Sequence, residues 1–204
     1  MREDAQPFHT RRPGVVMAHN GNVTNLSEVE GWLRQRSLRV QSSCDVEPIR
    51  LVFAESLVTA NGADFGTDAL REAVREVFAV VKGAYTCAAL MEVEGRETLV
   101  AFRDPRGIRP GCYGKGEDGA WVVASESVAL DALGAKRVGD LPPGGLLLLR
   151  AGEEPVLVEV EPLPARNCIF ERIYFARPDS QMEEGRVYDI RWRLGERLGR
   201  EWRA

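Results

Sequence analysis

A histidine, two asparagines and a glycine fall together as His19-Asn20-Gly21-Asn22, directly after the apolar run Gly14-Val15-Val16-Met17. Two readings are open at this spacing. Asn-Gly is the commonest hairpin-turn dipeptide, so a short buried strand over residues 13–18 can end here in a tight turn that needs positive φ. Alternatively, the Gly21 N–H and the Asn20 side-chain amide, held side by side, make two preorganised donors of the kind that stabilise the oxyanion of an acyl-transfer intermediate. Downstream, Ser43-Cys44-Asp45-Val46-Glu47 sets two carboxylates at a predicted helix start. A carboxylate there caps orphan backbone N–H groups and complements the helix dipole; at the mouth of a cleft it can equally hold a substrate ammonium group. No serine or cysteine near His19 makes a convincing nucleophile pair with it, which leaves His19 as a hydrogen-bonded turn or core histidine.

Two further stretches stand out. Arg103-Asp104-Pro105-Arg106-Gly107-Ile108-Arg109-Pro110 reads as a rigid turn between strands, with Asp before Pro, Gly for positive φ and arginines able to bridge carboxylates. Cys168-Ile169-Phe170-Glu171-Arg172-Ile173-Tyr174-Phe175-Ala176-Arg177-Pro178-Asp179-Ser180 is densely aromatic and apolar with a polar, proline-stopped end, and by composition is a buried strand or an interface segment. The four cysteines, Cys44, Cys87, Cys112 and Cys168, never form a C-x-x-C pair, and with two histidines they give no zinc spacing, so no metal ligands are assigned. They read as free thiols of a reducing compartment.

The elements that must position these groups follow from periodicity. A helix is predicted from about Asn25 with Glu28 as its capping-box partner and Leu26, Val29 and Leu33 inward. A second starts at Asp45, with Pro48 in its first turn and Ile49, Val52, Phe53 and Leu57 at helical spacing. After a linker over residues 59–66, Thr67 caps a third, whose inner face carries Leu70, Val74, Val77, Phe78 and Val81. From Ala84 onward short β-rich runs take over at Tyr85–Met91, Thr98–Phe102, Trp121–Ala124, Leu146–Arg150 and Val156–Val160. A short helix near Ser127–Leu133 interrupts them and a long one near Val187–Trp202 closes the chain. Strands around grouped helices indicate an α+β layered domain.

The chain has 204 residues, 44% hydrophobic and 28% charged, which fits one soluble globular domain with at most an appendage. The net charge of −4 includes no basic run able to track a phosphate backbone, so no nucleic-acid partner is expected. No apolar stretch approaches a bilayer span and the N-terminus lacks a hydrophobic targeting region, so a cytoplasmic protein without membrane contact is expected.

Taken in order, "AQPF", "AHNGNVTN", the Asp45 segment, "GAYTCAAL", "AFRDPRGIRP", "ASESVALDALGA", "CIFERIYFARPDS" and "LGREW" resemble the amidophosphoribosyltransferase family over nearly the whole chain. HNGN and RDPRGIRP also occur in related class II glutamine amidotransferases, whereas "YFARPDS" points narrowly to this family. The resemblance implies a glutaminase unit with the αββα sandwich of the N-terminal-nucleophile hydrolases. It implies that Asn20 and the backbone of Gly21 form the oxyanion hole and that Asp45 binds the α-ammonium of glutamine. Ser125-Glu126 would lie at a strand-to-helix corner with no catalytic role assigned. The segment carrying Tyr174, Arg177 and Asp179 would couple this unit to a phosphoribosyltransferase domain. There ammonia meets phosphoribosyl pyrophosphate and Mg²⁺ to give phosphoribosylamine, the first step of purine synthesis.

In that family the nucleophile is a cysteine at the mature N-terminus, its own amine serving as base. The expectation is therefore that residues 1–185 are a partial glutaminase domain, incomplete at the N-terminus and inactive alone, and that 186–204 lead into an absent transferase domain of the same longer chain, homo-oligomeric when complete. Cys168 matches a position that ligates an iron–sulfur cluster in one branch of the family, but a cluster needs about four converging thiolates, so none is expected here. A non-catalytic binding or regulatory module with the same shell, or the glutaminase part of the glucosamine-phosphate or asparagine enzymes, is the alternative.

Overall fold

The computed structural model describes residues 4–61, 65–183 and 185–202. Strands β1 (Phe8–Arg11), β2 (Gly14–Val23), β3 (Gly83–Val93), β4 (Arg96–Arg103), β8 (Gly145–Leu149) and β9 (Val156–Glu159) form one antiparallel sheet in the order β1-β2-β3-β4-β8-β9. Helices α1 (Leu26–Arg34), α2 (Val46–Asn61) and α3 (Thr67–Val80) cover one face of it, and Leu33, Ile49, Phe53, Leu57 and Leu70 pack there against Met17, Tyr85 and Phe102. The Phe53 and Phe102 rings stack at 5.7 Å, with Tyr85 edge-on to Phe102. On the opposite face, Ala101, Leu147 and Leu149 meet Leu141, Tyr113, Trp121 and Val123 of a second, three-stranded sheet. That sheet runs β6-β5-β7, from Cys112–Lys115 (β5), Trp121–Ala124 (β6) and Lys136–Asp140 (β7). Helix α4 (Ser127–Ala132) closes its outer side through Leu130 on Cys112 and Ala135. The layers are thus helix, sheet, sheet, helix, the α+β sandwich expected.

A π-helical turn, Glu171–Phe175, then a two-stranded ribbon, β10 (Gln181–Met182) with β11 (Gly185–Arg186), lead into α5 (Val187–Trp202). Among the described residues no helix is long and apolar enough to cross a membrane.

Several expectations are corrected. The strand does not stop at HNGN: β2 runs through it to Val23, because β3 lies alongside over the whole stretch, with Asn20 opposite Thr86 and Gly21 opposite Tyr85. Cross-strand pairing overrides the turn preference of Asn-Gly. Gly66, not Thr67, is the N-cap of α3, and it makes no side-chain cap. Asn25 does precede α1, but its side chain bridges Lys82 N–H, Val80 O and Glu28 instead of capping the helix. The 168–180 segment is not a buried strand: Phe170, Ile173, Tyr174 and Phe175 are exposed, while Glu171, Arg172, Ala176 and Ser180 are buried. Strands β1, β5 and β7, the ribbon and the π-helical turn had no counterpart in the expected elements.

Candidate active site

The N–H directions along β2 follow from one hydrogen bond. Thr24 N–H donates to Lys82 O in continuation of the β2–β3 register, so even-numbered residues of β2 bond to β3 and odd-numbered ones point to the other edge. Strand β1 occupies that edge only as far as the Phe8–Met17 pair. Beyond it three N–H groups in a row, on His19, Gly21 and Val23, face away from the sheet. Gln6 Oε1 accepts the first at 2.6 Å and Asp45 Oδ2 the third at 2.7 Å. The middle one, on Gly21, has no acceptor among the described residues. Unpaired backbone donors are uncommon inside folded chains, and this one is framed by two that side chains have capped. Gly21 is also sterically required, because a Cβ there would lie 2.5 Å from Ala84 O and 2.6 Å from Tyr85 Cβ.

Asn20 projects to the face opposite Met17, into the space between the two sheets. There it borders a cleft of about 200 Å³ with Ala18, Thr86, Ala88, Ala124 and Ser125. The Asn20 amide and the Gly21 N–H are thus adjacent, one on the sheet face and one at its open edge. Asp45 is tied to the same edge two residues along. His19 is pushed toward the neutral imidazole by burial, opposed by the nearby Asp45 charge, and its Nε2 is enclosed with no hydrogen-bond partner. Helix α2 holds Asp45 in place because Glu47, 4% exposed, ties down the preceding loop through Gln41 N–H, Ser42 N–H and Ser42 Oγ–H.

The Arg103–Pro110 turn is built around the buried Asp104 carboxylate, which accepts from the N–H groups of Arg106, Ile108, Arg109 and Tyr85. Gly107 takes φ +59° there. The arginines do bridge carboxylates: Arg109 pairs with Glu171 at 2.7 Å, and Arg103 with Glu183. Ser125, in the Asn20 cleft, also lines a second cavity reaching Glu171, Arg172 and Gln181. At the same corner Glu126 Oε2 accepts Arg177 N–H at 2.8 Å and Ser180 Oγ–H at 2.6 Å, and Ser127 Oγ accepts Gln181 N–H. Arg177 and Asp179 form an exposed bidentate pair that holds Asp179 below the usual carboxylate range, and Tyr174 is 77% exposed against Phe175. The Glu126–Ser127 corner, next to Ser125 of the Asn20 cleft, holds Arg177, Ser180 and Gln181 of this segment.

The thiols are poorly placed for attack. Burial drives Cys87 well above its ordinary range on the helix-side face, and Cys112 is pushed up to about 12. Cys44 packs against the helix-side core and Cys168 precedes the π-helical turn. No three His, Cys, Asp or Glu side chains converge as a metal site among the described residues.

The sequence model of the glutamine amidotransferase domain matches residues 1–132. The chain belongs to this glutamine amidotransferase family. It is 37% identical to an amidophosphoribosyltransferase of Pasteurella multocida over 98% of its own length and 36% identical to that of Escherichia coli over the same share. The glutamine phosphoribosylpyrophosphate amidotransferase from B. subtilis, solved with ADP and GMP, superposes with a TM-score of 0.80 at 29% identity, covering 98% of this chain and 41% of that one. A structure described as the allosteric regulatory enzyme of purine biosynthesis gives 0.80 at 28%. The resemblance read in the sequence and the sandwich it implied are therefore borne out. The chain spans 41% of the length of the first two relatives.

Three groups of this chain are not visible to sequence reasoning. Gln6, within "AQPF", caps the His19 N–H. Asp104 organises its loop through four N–H donors, and its proline neighbour is the one sequence signal. Glu126 clasps partners more than 50 positions on, which no local pattern reveals.

Proposed function

We propose that this chain is the glutamine-hydrolysing part of an amidophosphoribosyltransferase. The carbonyl oxygen of the glutamine side-chain amide sits between the Asn20 amide and the Gly21 N–H, and Asp45 faces the α-ammonium. A cysteine thiolate other than the four in this chain attacks the amide carbon. Negative charge then builds on the oxygen between these two donors, and preorganised dipoles lower a barrier most where such charge develops. Collapse breaks the C–N bond and releases ammonia, and water hydrolyses the thioester to glutamate. Ammonia displaces pyrophosphate from phosphoribosyl pyrophosphate in a phosphoribosyltransferase domain of the same longer, oligomeric, cytoplasmic protein, where Mg²⁺ accompanies that substrate. Residues 1–185 serve the first reaction, and 186–204, with Tyr174, Arg177 and Asp179, lead to and couple with the second.

The observation that carries this reading is the uncapped Gly21 N–H between two capped neighbours, beside Asn20. Titrating L-glutamine into ¹⁵N-labelled protein tests it. The expected result is saturable shifts of the Gly21 amide and the Asn20 NH₂ resonances, lost in Asp45→Asn and absent with D-glutamine. Shifts confined to other parts of the chain, or none at all in folded protein, would contradict it.

A further inference from the structure

Arg50 lies in the second turn of α2 with its side chain 6% exposed, yet its guanidinium makes no hydrogen bond to any described residue. Its Nε is enclosed and orphaned, and its one charge partner, Glu47 Oε1, stands 3.9 Å away, too far for a hydrogen bond. Glu47 spends its hydrogen-bonding oxygens on the Gln41 and Ser42 donors, so its charge faces Arg50 without a hydrogen bond between them. A buried guanidinium in this condition is costly, and burial weakens its hold on its proton.

The side chain lines a cavity of about 570 Å³ together with Glu47, Gln41, Ser42, Phe8 and His9, between β1 and the start of α2. That volume is of the size that takes a small metabolite. A guanidinium presents a planar fork that matches carboxylate and phosphate oxygens. Gln41 and His9 add further polar groups to the lining, and Phe8 and Pro7 add apolar ones. The cavity shares no lining residue with the Asn20 cleft.

We propose that this cavity is a second small-molecule site that binds an oxyanion, a carboxylate or a phosphate, on the Arg50 guanidinium. It does not rest on the glutamine reading: Arg50 touches no residue of the Asn20 cleft, although Gln41, Ser42 and Glu47 on its lining also hold the loop before Asp45.

The test follows the Arg50 Nε–Hε resonance in ¹⁵N-labelled full chain during titration with sodium phosphate or sodium succinate, against sodium chloride at matched ionic strength. One of the two anions is expected to shift that resonance saturably, while exposed Arg34 moves no more than in chloride. The anion that does so identifies the ligand class. Arg50→Leu, checked for fold by circular dichroism, is expected to weaken that binding at least tenfold by calorimetry, with the glutamine-dependent shift at Gly21 unchanged. If neither anion moves Arg50 beyond the chloride control, or if the binding seen is the same in Arg50→Leu, the proposal is overturned.

Discussion

At the scale of single residues the site is a matter of which donors are already occupied. Asn20→Ala in the assembled enzyme removes one of the two donors proposed to face the oxyanion. Loss of such a donor costs about 10²–10³ in kcat, with KM for glutamine little changed because the developing charge is its target; steady-state glutaminase kinetics check this. Asp45→Asn keeps an oxygen to accept the Val23 N–H but removes the charge, so a raised KM is expected instead. Gly21→Ala drives a methyl into backbone and the Tyr85 Cβ, and overpacking of this kind costs about 1–3 kcal/mol, measurable by urea unfolding. His19 adds a pH signature. Its folded pKa lies below the ordinary 6.5 because the ring is buried, so the unfolded chain binds the extra proton first. Its effect on stability is absent above that value and becomes destabilising as pH falls below it. The urea midpoint is expected to drop between pH 7.5 and 5.5, and to drop less in His19→Gln.

At the scale of elements, what was legible in the sequence was what local pattern controls. The inner faces of α1, α2 and α3 showed at helical spacing, and β3, β4, β6, β8 and β9 as apolar β-rich runs. What was hidden depends on neighbours. Strands β5 and β7 read CYGK and KRVGD, too short and polar to announce themselves, and they exist because each completes a ladder. HNGN looks like a turn until β3 is laid against it. The π-helical turn carries Ile, Tyr and Phe, a strand composition, but its carbonyls are held from α5, where Arg191 donates to Arg172 O and Ala176 O. The donor pair at Asn20 and Gly21 was suggested by residue type, whereas the caps supplied by Gln6 and Asp45 needed the fold. The Glu126 corner gives a prediction at this scale. Glu126→Ala removes the acceptor of Arg177 N–H and Ser180 Oγ–H, so faster hydrogen exchange is expected across residues 177–183, with α1–α3 unaffected. Equal acceleration in the helices would mean that the corner supports the whole fold instead of clasping one segment.

At the scale of the whole molecule, the π-helical turn and α5 stand apart. Tyr174 is 77%, Leu198 65%, Trp192 60% and Trp202 87% exposed, a concentration of large apolar groups that single soluble domains rarely present. It lies on the elements that follow the sandwich, where the proposed transferase domain would join. The isolated chain is expected to self-associate through it, and Trp192→Arg with Trp202→Arg to lower the sedimentation coefficient at a concentration where the parent associates, without lowering the melting temperature. The centre of the chemistry, however, is the edge of β2. Amide hydrogen exchange read residue by residue in the unliganded chain measures it directly. Gly21 is expected to exchange at least tenfold faster than His19 and Val23 after correction for intrinsic rates, and to slow when glutamine is added. Protection of Gly21 equal to that of its two capped neighbours, without ligand, would show its N–H already spent and contradict the assignment.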